Sequence, residues 1–195
     1  MNRNMLPFLD IFIVFVIVII LFFYVKGYYA EVTFMKSKVD GRQYLVRKLP
    51  DSQKAADTLA TINRELQHLV NHLVAKYPDK PQVKQLFENY NPNNVSEGSV
   101  HSGYTSYSVN KGERIILCIR QKDAEEAFVE KNVIMYVAIH ELAHLATESV
   151  GHGQDFWDNF KFILEEAVDI GVYKKVDFAA NPAPYCGIKI TSSII

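Results

Sequence analysis

Two histidines and a glutamate lie close together in the segment His140-Glu141-Leu142-Ala143-His144. Residues four apart in an α-helix share one face, so the imidazoles of His140 and His144 can ligate a single ion. Glu141 lies about 100° around the helix from His140 and can act as a general base on a water held by that ion. The segment predicts a zinc site for hydrolysis, with His140 and His144 as metal ligands and Glu141 as the catalytic residue.

A third ligand is expected, because catalytic zinc has three protein ligands and keeps its fourth position for water. His152 is favoured, since Gly151 and Gly153 on either side allow the chain to turn back towards the ion. Seven residues separate His152 from His144. The alternative ligand is Glu165, which follows His144 after twenty residues, a separation that resembles the thermolysin-like family.

Two helices in close succession are predicted to carry these residues, at 130–148 and 154–170. The first is apolar nearly all round, which is typical of a central, buried helix. Burying two histidines and a carboxylate in such a helix costs several kcal/mol unless they are paired or bound to a metal. A chance occurrence of the motif is therefore disfavoured.

A second histidine pair, His68 and His72, has the same spacing, with Glu65 one turn earlier. It lacks a glutamate between the histidines and flanks an apolar stripe on an otherwise polar face. These residues are interpreted as a solvated helix face.

Peptide hydrolysis also needs a donor for the charge on the tetrahedral intermediate. The sequence does not choose among four tyrosines: Tyr104, Tyr107, Tyr173 and Tyr185. The apolar strand predicted at 114–120, just before the motif helix, is the expected edge along which an extended peptide would pair.

The other predicted elements form a mixed α+β domain. Strands at 32–39 and 43–49 are joined by Asp40-Gly41, a hairpin signal. A helix is predicted from residue 51 or 52 to residue 77, with a regular apolar stripe, and a shorter one at 82–90. The polar stretch 91–103 is interpreted as a loop, 105–109 as a strand paired with 114–120, and 187–190 as a last extended segment.

Residues 6–25 form an apolar run in which Asp10 is the only charged residue. A helix of twenty residues is about 30 Å long and matches the hydrocarbon core of a bilayer. The run is interpreted as an uncleaved transmembrane anchor and not a signal peptide or a core helix, with an anchor domain at 1–27 and a catalytic domain at 28–195. More Lys and Arg follow the run than precede it, where Arg3 stands, which favours a single-pass protein with its catalytic domain on the cytoplasmic side.

Charge and cysteine content limit the remaining possibilities. The formal net charge is -1 and no block of basic residues occurs, so nucleic-acid binding is not indicated. Cys118 and Cys186 lack the spacing of a zinc ribbon or a redox pair, and they are either buried thiols or one disulfide.

The motif segment, followed by Gly151-His152-Gly153-Gln154-Asp155-Phe156-Trp157, resembles the WLM family of Wss1-like metalloproteases, which are related to SprT-like zincins. The resemblance implies a zincin-like domain, with a small sheet and hairpins packed on a central HExxH helix. It also implies zinc held by His140, His144 and His152, with Glu141 as the catalytic glutamate. The spacing between the second and third histidines is longer here than in typical members. The DNA-protein crosslink repair role of better-known members is not carried over, because the nucleic-acid-binding tails are not visible.

The predicted function is a membrane-anchored zinc metalloendopeptidase acting on a protein or peptide substrate. The alternative is a catalytically silent zincin-fold protein with a structural or interaction role in a membrane or particle. An intact Glu141 disfavours that alternative, because a structural zinc site needs no base. A zinc hydrolase of non-peptide bonds stays open.

Overall fold

The computed structural model describes residues 5–100 and 102–195; Arg3 of the charge comparison and His101 of the predicted loop lie outside them. The first element is helix α1, Met5–Glu31. Its segment Leu9–Gly27 has a mean hydropathy of 2.7, and none of that segment is buried against the rest of the protein. By length and composition this helix can span a membrane.

Strands β1, Val32–Lys36, and β2, Gln43–Arg47, form an antiparallel hairpin in which Phe34 lies opposite Leu45. The predicted hairpin is confirmed, and each strand ends two or three residues earlier than expected at its carboxyl end. Asp57 holds the connecting turn, accepting hydrogen bonds from the Lys38 backbone N–H at 2.7 Å and the Ser37 hydroxyl at 2.8 Å.

Two helices follow, α2 at Ser52–Lys76 and α3 at Pro81–Asn89. The apolar stripe of α2 is buried as predicted, with Leu59, Ile62, Leu66, Leu69 and Leu73 fully enclosed in the core. Such a stripe, repeating every three or four residues, stabilises the helix by packing.

Strands β3, Val95–Glu97, β4, Tyr107–Val109, and β5, Arg114–Leu117, form one sheet in the order β3-β5-β4. The β4–β5 hairpin is confirmed. The prediction of an uninterrupted loop over 91–103 is wrong at 95–97, where β3 pairs parallel to β5. The sequence did not predict this strand because it contains the charged residue Glu97, which is typical of a loop. In the structure the Glu97 carboxylate is buried and accepts hydrogen bonds from Arg120 Nε at 2.8 Å and the Arg47 backbone N–H at 2.7 Å.

The order of this sheet also corrects the predicted peptide-binding edge. β5 has a partner on both sides, so its backbone is not free to pair with a substrate. The two edge strands are β3 and β4, each of which pairs only with β5 among the described residues, and β4 is the one that packs against α4. Continuous apolar character in β5 was the signature of a central strand.

Helices α4, Lys131–Ala146, and α5, Gln154–Asp169, pack against each other. α4 is buried on nearly every side, as its sequence predicts, and the Glu130 side chain caps it by accepting from the Val133 backbone N–H at 3.1 Å. The chain ends in an antiparallel hairpin of β6, Ala183–Tyr185, and β7, Ile188–Ile190. The observed architecture is the expected α+β domain built on a central helix that carries the motif, preceded by one apolar helix.

Candidate metal centre

Three imidazoles converge at the junction of α4 and α5. The candidate ligand atoms of His140, His144 and His152 all lie within 4.8 Å of one another. His140 Nε2 and His152 Nε2 are 3.1 Å apart. Within the described chain these three residues form the only group of histidines, cysteines and carboxylates with such spacing.

Phe156 of α5 packs against all three rings. Its ring centroid lies 4.8 Å from that of His140, 4.3 Å from that of His144 and 4.7 Å from that of His152. The reversal of the chain between the helices uses Gly151, whose φ of 92° is in the left-handed region. Phe156 therefore helps to bring His152 to the pair on α4.

The carboxyl end of α4, which carries His144, is held by side chains. The last four carbonyl groups of a helix have no partner within it. In α4 each of them accepts from a side chain: Ala143 from Thr147 at 2.7 Å, His144 from Lys111 at 3.3 Å, Leu145 from Asn89 at 2.9 Å and Ala146 from Asn159 at 3.4 Å.

Lys111 belongs to the turn between β4 and β5, and sequence reasoning did not identify it. Its ammonium group also donates to the carbonyl oxygens of Thr147 at 2.5 Å and Ser149 at 2.7 Å. The Lys111 ammonium group thus links the end of α4 to the start of the following turn. Its positive charge also interacts favourably with the negative, carboxyl-terminal end of the helix dipole. Asn110-Lys111-Gly112 marks a turn in the sequence, but nothing local indicates its partners.

The electrostatic environment favours the neutral form of the two histidines on α4, His140 and His144. Burial, together with the neighbouring imidazoles, lowers the pKa of His140 to about 3. Burial, His152 and Lys111 lower the pKa of His144 to about 4. Neutral imidazole is the form that ligates a metal ion.

Glu141 is buried, with only 4% of its surface exposed, and its Oε2 atom has no hydrogen-bond partner among the residues that the structure describes. Burial raises the pKa of Glu141 to about 7, against the opposing effect of hydrogen bonding from Ser108. A carboxyl group whose pKa is close to neutral can both accept and release a proton at physiological pH.

The donor set fits zinc. Three imidazoles beside a buried carboxylate are the ligands and base that catalytic zinc sites use. Glu165, the alternative ligand, lies away from this group: it is exposed and its carboxylate is 4.0 Å from Lys161 Nζ. The geometry favours His152 over Glu165.

The second histidine pair is not a metal cluster. His68 is exposed, as predicted. His72 is half-buried and departs from the prediction, because its Nε2 lies 2.9 Å from Glu166 Oε2. Glu166 also accepts from Lys76 Nζ at 2.9 Å and from the Tyr77 hydroxyl at 2.6 Å, so this group joins α2 to α5.

A cavity of about 550 Å³, here called the site cavity, opens beside the motif. Ser106, Tyr107 and Ser108 of the edge strand region line one side, and His140, Glu141 and His144 line another. Of the four tyrosines considered as donors, only Tyr107 lines this cavity. Tyr104 is 70% exposed, whereas Tyr173 and Tyr185 are buried. The Tyr185 hydroxyl forms a hydrogen bond with the Ser106 hydroxyl at 2.5 Å.

Cys118 and Cys186 form a disulfide, with Cα atoms 6.3 Å apart. This decides between the two alternatives that the sequence left open. The bond attaches the β6–β7 hairpin to the chain just after β5. Residues 68 positions apart are thereby joined close to the site cavity.

Comparison with known proteins places the chain in a family. Residues 38–181 match the WLM domain. Uncharacterized protein R325 of Acanthamoeba polyphaga mimivirus is 31% identical over 191 residues, which is 96% of both chains. Uncharacterized protein 136R of Invertebrate iridescent virus 6 is 26% identical over 164 residues, 78% of this chain and 88% of that protein.

Solved structures with a similar fold include Wss1 from Saccharomyces cerevisiae, at 21% identity and a TM-score of 0.46, covering 63% of this chain and 84% of that one. A mutant of the same protein has 19% identity and a TM-score of 0.48, with coverage of 66% and 91%. The family assignment rests on the sequence matches. α1 precedes the matched residues and is an addition to the domain. The chain belongs to the WLM-domain family.

Proposed function

We propose that this protein is a membrane-anchored, zinc-dependent metallopeptidase. The observation that carries the proposal is the position of the buried Glu141 carboxylate, one oxygen of which has no partner among the described residues, in the same cavity as three imidazoles whose nitrogen atoms lie within 4.8 Å of one another. Membership of the WLM-domain family supports a metallopeptidase role. His140, His144 and His152 would hold the zinc ion.

Zinc, when bound, lowers the pKa of a bound water towards neutrality and polarises the substrate carbonyl. Glu141 takes the proton from the attacking water and later delivers it to the leaving amine. Its pKa of about 7 suits both transfers.

Substrate binding is assigned to the edge strand β4. An extended peptide that adds to this edge gains backbone hydrogen bonds and lies along the site cavity. Tyr107, a residue of this strand that lines the cavity, is the proposed donor to the developing oxyanion through its hydroxyl group. The substrate is therefore a protein segment able to adopt an extended conformation.

The full chain, purified in lipid nanodiscs, tests this function on an unfolded protein substrate beside Glu141→Gln. We expect stoichiometric zinc in both proteins and cleavage by the wild type alone, with a loss of about 10²–10⁴-fold in the variant, the usual size of a general-base contribution. Equal activity in both would refute the role of Glu141. Zinc without cleavage in the wild type would favour the structural alternative instead.

A further inference from the structure

A second cavity borders His140 on the side away from the edge strand. It measures about 490 Å³ and is here called the flanking cavity. Tyr136, His140, Trp157 and Phe160 of α4 and α5 line one side, and residues 188–194 of the carboxyl-terminal segment line the other. His140 lines both cavities, so the flanking cavity adjoins the candidate metal centre.

The lining of the flanking cavity is mainly apolar and aromatic. Trp157 is 38% exposed and Ile188 is 53% exposed, so both offer apolar surface to a ligand. The rings of Tyr136 and Phe160 pack edge-to-face with centroids 5.3 Å apart. Solvent-accessible apolar surface in a concave site favours an apolar ligand group.

The carboxyl-terminal wall is fixed in place by contacts with the core. The Tyr136 hydroxyl donates to the Ser192 carbonyl at 3.4 Å, while Ile190 and Ile194 pack against the core cluster. The disulfide at Cys186 attaches the hairpin that leads into this wall. A wall held at several points can select between side chains of different shape and polarity.

We infer that the flanking cavity is a specificity subsite that takes a large apolar side chain of the substrate, next to the bond that is cleaved. This inference rests on the proposed peptidase function. The cavity volume exceeds that of a single side chain, and its apolar walls gain free energy by removing a Phe or Leu side chain from water. A Lys or Arg side chain would lose hydration there beside Lys189, with no carboxylate among the lining residues to pair with it.

Cleavage of a peptide library by the full chain in nanodiscs tests the subsite. The wild type should require Phe, Leu or a similar residue at one position beside the cleaved bond, by about tenfold or more over Gly. Ile188→Glu, at an exposed position of the wall, should shift that preference towards Lys and Arg. Phe87→Glu is the matched control, because Phe87 is 56% exposed on α3 and lies outside the cavity lining. The substrate preference of this variant should equal that of the wild type.

Binding supplies a readout that does not depend on turnover. Trp157 is the only tryptophan of the chain, so its emission reports directly on the flanking cavity. A Phe-containing peptide should shift this emission to the blue in Glu141→Gln, and bind about tenfold more weakly when Ile188→Glu is added.

The outcomes separate the two proposals. An inactive wild type that still binds the Phe peptide in an Ile188-dependent manner would refute the peptidase and retain the subsite. Cleavage without a preferred apolar position, or a preference and affinity unchanged by Ile188→Glu, would overturn the subsite and leave the peptidase intact.

Discussion

Glu97, Glu141 and Glu166 are buried to a similar extent, but Glu141 has fewer hydrogen-bond partners than the other two. Glu166 accepts hydrogen bonds from several side chains that lower its pKa, and Glu97 is paired with Arg120. Glu141 keeps one oxygen unpartnered, and burial raises its pKa to about 7. Because leaving a buried polar atom unsatisfied costs free energy, such an atom indicates a functional role.

Gly112 is a second residue whose identity is dictated by its surroundings. Its φ is 114°, and an added Cβ would lie 2.1 Å from the Asn89 carbonyl oxygen. Gly112→Ala should therefore lower the free energy of unfolding by about 2–4 kcal/mol, combining backbone strain with overpacking. Thermal unfolding followed by Trp157 fluorescence measures this.

Gly171→Ala is the control for Gly112→Ala. Gly171 has a φ of 75°, but nothing lies within 4 Å of its added Cβ, so only backbone strain of about 1 kcal/mol is expected. Equal destabilisation by both variants would show that the contact with Asn89 is unimportant.

At the level of elements, the site depends on how α4 ends. Side chains from α3, the β4–β5 turn and α5 satisfy its last carbonyl groups. Such groups otherwise require water, which the surrounding core excludes. Of these elements, the β4–β5 turn also lines the site cavity, so one wall of the cavity is joined directly to the helix that carries the ligands.

Lys111→Met tests this arrangement, since the aliphatic part of the side chain is kept while the ammonium group is removed. We expect a loss of about 1–3 kcal/mol in stability, because three carbonyl groups lose a charged donor. Zinc should also dissociate faster in the presence of a chelator, measured with a colorimetric indicator.

Lys161→Met is the matched control for Lys111→Met. Lys161 is 56% exposed, and its surface pair with Glu165 should contribute little. Equal loss of stability and equal rates of zinc dissociation in the two variants would show that the hydrogen bonds from Lys111 do not stabilise the end of α4.

The disulfide is the other connection between elements that the site requires. Closing a loop of about this length stabilises a fold by about 4 kcal/mol in the chain-entropy estimate. Replacing Cys118 and Cys186 together by Ser should lower the melting temperature and increase the mobility of the carboxyl-terminal wall of the flanking cavity. Hydrogen exchange should rise in residues 183–194 and stay unchanged in α2; exchange that rises equally in both would contradict a local effect.

At the scale of the whole molecule, the domain has no linker to the apolar helix. α1 ends at Glu31 and β1 begins at Val32, so an anchor in the bilayer would hold the β1–β2 hairpin close to the headgroups. Substrates would then be protein segments that reach the membrane surface.

The side of the membrane is a separate matter. Charges around the apolar helix predict the cytoplasmic side, whereas the disulfide favours an oxidising compartment. We expect the oxidising side, because the charge bias rests on few residues and disulfides seldom persist in the reducing cytosol. Protease protection in sealed vesicles measures this, with thiol alkylation as an independent check. Digestion from the cytosolic face together with free thiols would contradict it.

The sequence by itself predicted the helices, the β1–β2 and β4–β5 hairpins and the HExxH motif on a buried helix, and it suggested the roles now proposed for His140, Glu141 and His144. These features depend on residues within one or two turns of each other, so their period and spacing can be read directly. The apolar run of α1 is equally local. Membership of the WLM-domain family was also recognisable from the short segment around the motif.

Only the tertiary structure decided which distant residues meet. It placed β5 inside its sheet and β4 at the edge, paired Cys118 with Cys186, and turned Glu165 towards solvent while bringing His152 to the site. It also gave Lys111 its role at the end of α4. These relations depend on the packing of the whole chain around one core, since residues far apart in sequence carry no local signal of their partners.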